Sequence, residues 1–145
     1  MARTGEVEAF LGEMLPRQRD AEQALCRGDA DAWADTWSRN EPVTLFGAAG
    51  GLRRGRDETD ETFQWLAGRF AGKRLREFDL ELVAAGACGD LAYTVGFEHK
   101  TFVVDGEPVS YTLRVTHVYR REDGAWRIVH RHGDRPPAEG ASPPV

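Results

Sequence analysis

The chain changes its apolar period once, and that change decides the fold class. Up to about Phe70 apolar residues recur every three or four positions; from Arg74 to Asp134 they alternate. Val7, Phe10, Leu11, Met14, Ala21 and Leu25 mark an amphipathic helix interrupted by Pro16, which predicts a kink or two helical pieces. Gly28 suits a left-handed close to that helix, and Asp29 is a cap for a second one running to about Ser38, with Trp33 and Trp37 inward on one side. Pro42 forces an extended approach to a short strand, Val43 to Phe46, before the GAAGG loop and Leu52 to Gly55. Asp57 is the expected N-cap of a third helix, carrying Phe63, Leu66 and Phe70 and ended by Gly72.

In the second block Phe78, Leu80 and Leu82 alternate with acidic residues, and Tyr93, Val95 and Phe97 alternate with Thr94, Gly96 and Glu98. Gly89-Asp90, Asp105-Gly106 and Asp123-Gly124 are turn signals. Helices followed by a four-stranded antiparallel meander make an α+β domain over residues 1–134, with helices covering one face of a curved sheet and a cavity between the layers. Residues 135–145, RPPAEGASPPV, have little to pack and are expected to be a disordered tail.

Charge and composition remove several classes of function. Nineteen Lys and Arg against 24 Asp and Glu give a net charge of -5, which disfavours a non-specific grip on nucleic acid. No apolar run approaches the roughly 20 residues that cross a bilayer, and MARTGEVEAF lacks the apolar core of a signal peptide, so a cytoplasmic, membrane-independent protein is expected. Cys26 and Cys88 have neither metal-ligand spacing nor the density of a disulfide framework, and fit thiols in a reducing compartment. Phosphate-loop, nucleophile-elbow and zinc-protease motifs are not seen, and no cofactor is expected.

The segment Leu113 to Asp134 holds three of the four histidines, so its register decides the candidate site. With Asp123-Gly124 as a two-residue turn, His117 pairs with His130, and Trp126, Ile128, His130 and His132 share the face of Val115 and Tyr119. With Glu122-Asp123-Gly124 as a three-residue loop closed by a left-handed glycine, His117 and Tyr119 share a face with Val129 and Arg131. Trp126, Ile128, His130 and His132 then take the other face. The Glu-Asp-Gly order suits the second arrangement. It places Tyr93, Phe97, His117, Tyr119 and Arg131 toward the cavity, opposite Trp33, Trp37 and Phe63. Together with Phe46, the aromatic residues of this group form the expected ligand-binding set.

Arg131 cannot shed its charge, so burying it requires a carboxylate or an anionic ligand, and Glu98 is the best internal partner if a local bulge turns it inward. His117 is a candidate general acid or base by its intrinsic pKa, or a core histidine bonded to its neighbours. Glu98 is a candidate base if an apolar cavity raises its pKa, or a solvated strand residue. His130-Arg131-His132 puts two imidazoles on one face, but an accompanying carboxylate is not evident and no metal site is assigned. Two classes of function follow. One is a cofactor-independent enzyme in which His117 or Glu98 moves a proton and Arg131 stabilises an enolate or carboxylate. The other is a non-catalytic ligand-binding or assembly module that forms a homodimer through the outer sheet face with Trp126, Ile128 and His130.

The element order resembles the nuclear transport factor 2-like superfamily, specifically its SnoaL-like, polyketide cyclase-like branch. Ala24, Leu25, Gly28, Asp29 and Trp33 in AL-x-x-GD-x-x-x-W, the strand from Gly89 to Glu98, and the final DGAWRIVHRHGD carry the likeness over about Ala21 to Asp134. The resemblance implies a cone-shaped fold with a small-molecule pocket and a dimer through the sheet. It also implies that position 117 corresponds to an arginine of kinase association domains, and position 131 to a catalytic aspartate of limonene epoxide hydrolases. Here those positions are His117 and Arg131.

Overall fold

Two tight turns organise the strand block of the computed structural model, which describes residues 3–137. Asp105-Gly106 and Asp123-Gly124 both have positive φ at both positions (51° and 81°, 51° and 80°), the geometry of two-residue hairpin turns whose twist matches the flanking strands. They join β4 (Leu91–Val104), β5 (Glu107–Glu122) and β6 (Ala125–Asp134), while Gly89-Asp90 joins β3 (Arg74–Cys88) to β4. The six-stranded sheet has the order β2-β1-β6-β5-β4-β3. Here β1 (Thr44–Phe46) runs parallel to β6, and β2 (Leu52–Arg54) is antiparallel to β1.

The helices cover one face of this sheet. Helix α1 (Arg3–Cys26) is a single helix across Pro16, not two pieces. The proline removes one N–H. Phe10 and Met14 before it and Gln18, Ala21 and Leu25 after it are all buried, so packing holds both halves in one line. Helix α2 (Asp31–Asp35) ends sooner than expected because the chain leaves it to pair with β6: Ile128 N–H donates to Thr36 O (2.8 Å) and Ser38 N–H to Ile128 O (2.9 Å). Ala30, not Asp29, holds the cap position of α2, and Asp29 contributes from one residue before it by accepting from Asp31 N–H (3.0 Å). Helix α3 (Gly55–Ala71) begins before Asp57, and the carboxylate of Glu41, not Asp57, receives its Arg56 N–H (2.8 Å). Trp33, Trp37, Phe63, Phe10, Tyr119, Trp126 and Ile128 meet in the core between the layers.

The last hairpin follows neither sequence-based register throughout. Its turn is the two-residue one, so Glu122 pairs with Ala125, Arg121 with Trp126 and Tyr119 with Ile128, which turns Trp126 and Ile128 inward instead of onto the outer face. Val129 is then an extra residue, a β-bulge, and beyond it the pairs are Val118 with His130 and His117 with Arg131. The bulge turns Arg131 inward beside His117 and leaves His130 and His132 outward. The three histidines therefore do not converge.

Strand β4 is also reversed relative to expectation. Ala92, Thr94, Glu98, Lys100 and Phe102 are its buried residues, while Tyr93 is 45% exposed and Val95 36%. Tyr93 and Phe97 point away from the helices, and Glu98 points inward by ordinary alternation with no bulge on its strand. Phe46 is corrected in the same way: it lies on the outer face against His130 and His132, and its neighbour Leu45 is the buried one. Gly96 lies where β3 crosses closely, and a Cβ there would meet Glu81 O at 2.2 Å. Residues 138–145, most of the expected tail, lie outside the described residues; Arg135 stacks over Tyr111, 4.9 Å from the ring centroid. Among the described residues no helix is long and apolar enough to cross a membrane.

Candidate active site

Five titratable side chains from α1, β4, β5 and β6 converge on the inner face of the sheet. Arg131 on β6 reaches across β5 to Glu98 on β4, donating from Nη1 to Oε2 (2.7 Å) and from Nη2 to Oε1 (2.9 Å). The same Nη1 lies 3.0 Å from His117 Nε2, which must be the unprotonated ring nitrogen to accept it. Lys100 Nζ is 3.3 Å from Glu98 Oε1 and 3.3 Å from Glu22 Oε2 on α1. Trp33 covers the guanidinium, with Arg131 Cζ 5.8 Å from its ring centroid, and stands edge-on to His117.

Burial and charge set the protonation states. Burial alone would raise the Glu98 carboxyl, but the charges of Arg131 and Lys100 hold it well below the usual carboxylate range. Burial, reinforced by the Glu98 charge, pushes Glu22 up to about 8, against the pull of Lys100 and Arg131. At neutral pH Glu22 therefore keeps its proton most of the time, and its contact with Lys100 is that of an ammonium with a neutral carboxyl. Burial and then the Arg131 charge push His117 down to about 3, so its ring is neutral. Lys100 and Arg131 would be lowered by burial, yet Glu98 holds both above their ordinary values. The cluster thus carries two cations against one anion, an excess of one positive charge in the interior.

Neither Glu22 oxygen accepts a hydrogen bond, and the proton of this neutral carboxyl is shared with the Glu98 carboxylate in a side-chain hydrogen bond. Close by, Tyr119 O–H donates to Gln18 Oε1 (2.5 Å) and lies 3.1 Å from Thr94 Oγ1. Lys100 also borders a cleft of about 490 Å³ whose wall includes Phe78 and Tyr111. A second cleft, about 400 Å³, lies at the other end of the sheet between α1 and Trp126 and touches none of the cluster.

The structure brings His117, Arg131 and Glu98 together, sets Trp33 and Tyr119 against them, and packs Trp37 and Phe63 on Trp33. Tyr93, Phe97 and Phe46 are on the opposite face. Glu22, Lys100 and Gln18 were missed by reading for strand chemistry alone. A signal existed: Phe10, Met14, Gln18 and Glu22 are spaced by four, so two polar residues lie on the buried stripe of α1. A polar residue there is informative because it needs an interior partner.

A helical layer on a curved, unclosed sheet with a polar cluster inside defines the cone fold of the nuclear transport factor 2-like proteins. Within that class the chain belongs to the SnoaL-like domain family, whose model matches residues 19–138. A putative dehydratase of the NTF2-like family from Streptomyces avermitilis superposes with a TM-score of 0.73 at 15% identity, covering 90% of this chain and 99% of that one. A putative calcium/calmodulin-dependent protein kinase type II association domain from Thiobacillus denitrificans gives 0.67 at 23% identity, covering 81% and 91%. The CaMKII hub of S. rosetta gives 0.63 at 25% identity, covering 84% and 93%. No curated protein matches the chain significantly. The SnoaL-like fold is that of a small-molecule-binding domain family.

Proposed function

We propose that the domain spanning residues 1–134 binds a small, largely apolar molecule bearing a carbonyl or carboxylate oxygen, and performs cofactor-independent acid–base chemistry on it. The observation that carries this reading is Glu22: a buried carboxyl 3.3 Å from the Lys100 ammonium, hydrogen-bonded to the Glu98 carboxylate, and able to exchange a proton near neutral pH. The substrate oxygen would take the excess positive charge of Arg131 and Lys100, and Glu22 would give or take the proton. This is the chemistry of an isomerase, cyclase or hydrolase that stabilises an enolate or carboxylate. His117 acts here by fixing Arg131 through its Nε2, and Glu98 is the counter-ion that makes a buried guanidinium tolerable. The cytoplasm is the proposed compartment, from the cysteine usage. The protein works as a homodimer through the outer sheet face, the side on which Tyr93, Val95 and Phe46 are exposed.

A second reading, a non-catalytic ligand-binding or assembly module, is favoured by one observation: Arg131 spends its bonds on Glu98 and His117, leaving less for a ligand. The CaMKII hub among the relatives is an assembly module by name. Thermal shift with a panel of small carboxylates and ketones separates the two. Acid–base chemistry in the cone requires a ligand whose stabilising effect is lost in Arg131→Met, and turnover of that ligand that is lost in Glu22→Gln. A ligand that binds without being turned over leaves the non-catalytic reading; stabilisation unchanged in both variants removes the interior site altogether.

A further inference from the structure

The outer face of the sheet places two titratable rings at its centre. His130 and His132 project outward from β6, an inner strand of the sheet order, and pair there with Val118 and Thr116 of β5. Phe46 on β1 packs on both, with ring centroids 5.8 Å and 5.2 Å away, and Tyr93 and Val95 extend the apolar band across β4. His130 Nδ1 is tied to Thr44 Oγ1 at 2.7 Å.

Charge on this face is divided by side. Glu77, Asp79 and Glu81 point outward along β3, at one edge. Arg114, Arg120, Arg127 and Arg54 point outward from β5, β6 and β2, on the other side of the band, where Asp134 and Glu122 pair with Arg114 and Arg120 and leave Arg127 and Arg54 as the excess positive charge. In a face-to-face pair of identical sheets related by a two-fold axis that runs along the strands, the acidic edge of one copy lies over the basic side of the other, and the central strands β5 and β6 lie over one another. A second copy of this chain is therefore the occupant that this face fits.

We propose that this homodimer is proton-gated: His130 and His132 hold the two copies together as neutral rings and release them when protonated. The inference rests on the homodimer reading above. The strands on either side of the two rings offer no anion opposite them, and Asp134, the carboxylate that feels His132, is bound first by Arg114. On β1 the facing residues are Thr44 and Phe46 and on β5 Thr116 and Val118, none acidic. The nearest charges are Arg54 on β2, Arg127 and Asp134 on β6, and Arg114 and Arg120 on β5. Asp134 is already held by Arg114 through two bonds (2.7 and 2.8 Å), and Arg120 is paired with Glu122 (2.7 Å). Two protonated rings per copy would bring four like charges to the centre of a dry contact, where unpaired charge is most costly. Even in the single chain, burial and then the His132 charge lower His130 below its ordinary value, and a second copy adds to that burial.

Sedimentation velocity of the full chain at pH 7.5 and pH 5.0 tests the gate, alongside His130→Gln/His132→Gln. The wild type is expected to be dimeric at pH 7.5 and to dissociate with at least a tenfold weaker constant at pH 5.0. The double variant should stay dimeric at both. If it does not fold, His130→Gln and His132→Gln alone should each keep part of the response. A wild-type dimer equally tight at both pH values overturns the gate and leaves the homodimer standing. A monomer at both pH values overturns the homodimer and the gate with it. A double variant with the full pH response assigns the switch elsewhere and also overturns the proposal.

Discussion

Arg131 and Glu98 face each other across β5 through two near-parallel N–H···O bonds of 2.7 and 2.9 Å, joining the strands on either side of it. This bidentate pairing is the strongest geometry available to a buried guanidinium and carboxylate. It is not symmetric in charge, because Lys100 also depends on Glu98 while Glu22 is held neutral.

That asymmetry predicts unequal mutations. Glu98→Gln leaves the buried Arg131 without its bonded anion, Lys100 alone keeping a carboxylate in Glu22, and should destabilise by about 3–5 kcal/mol. Arg131→Met leaves Glu98 balanced by Lys100, and its cost should be nearer that of unsatisfied acceptors, about 1–3 kcal/mol. In Glu98→Gln the charge that raises Glu22 is gone, so Glu22 should titrate well below 8 in a carboxyl-resolved NMR titration. Equal stability losses from urea melts of the two variants would contradict the charge count.

The pH dependence of stability should have two opposite slopes. His117 moves from an ordinary value of 6.5 to about 3, so the unfolded chain binds more protons between those values and stability rises with pH there. Glu22 moves from 4.5 to about 8, so the folded chain binds more protons and stability falls as pH rises through that window. Each slope is at most about 1.4 kcal/mol per pH unit, and they oppose one another between 4.5 and 6.5. The lowered Glu98 adds to the rise on the acid side. Chemical denaturation across pH should therefore show a broad maximum near pH 5–6 and a decline toward pH 8. Glu22→Gln should abolish the decline; a decline that persists in it would place the responsible group elsewhere.

The change of period at Arg74 was enough to read the order of elements, because alternation and helical spacing are local signals. The facing of β4 was not readable the same way. Its apolar residues Tyr93, Val95 and Phe97 are those that face outward, while Thr94, Glu98 and Lys100 are buried; the usual rule fails because Glu98 pairs with both Lys100 and Arg131 inside and the exposed apolar face fits another surface. His117 and Arg131 were placed inward for the wrong reason. A three-residue turn would set His117 opposite Val129; the structure reaches the same facing by the opposite one-residue shift, a bulge at Val129 downstream of a two-residue turn that sets His117 opposite Arg131. Only Trp126 and Ile128, between turn and bulge, distinguish the two, and both are buried.

That distinction changes what Trp126 should do. It packs on Phe10 with ring centroids 5.0 Å apart, under the Arg121 guanidinium, so it belongs to the core and not to a subunit contact. Trp126→Ala should lose about 3–5 kcal/mol, in the range for large aromatic truncations, without a specific effect on oligomeric state at temperatures where it remains folded. Val95→Glu, on the outer face, should leave the thermal midpoint of the monomer nearly unchanged and weaken self-association. Calorimetry paired with sedimentation on both variants checks the assignment; the reverse pattern would restore Trp126 to the surface.

The bulge itself can be tested by deletion. Because Tyr119 pairs with Ile128 and Val118 with His130, removing Val129 lets His130 follow Ile128 in regular alternation without moving either set of pairs. The variant lacking Val129 should fold, keep Arg131 opposite His117, and lose only the packing of one half-buried side chain and the local twist, about 1–2 kcal/mol. Deleting Arg127 instead removes a residue between the turn and the bulge. It must either force Ile128 out of the core or slide the strand past the turn, since a one-residue shift reverses every side chain. That variant should fail to give a cooperative thermal transition. If the two deletions are equally damaging, the extra residue at Val129 is not what sets the register of the inner cluster.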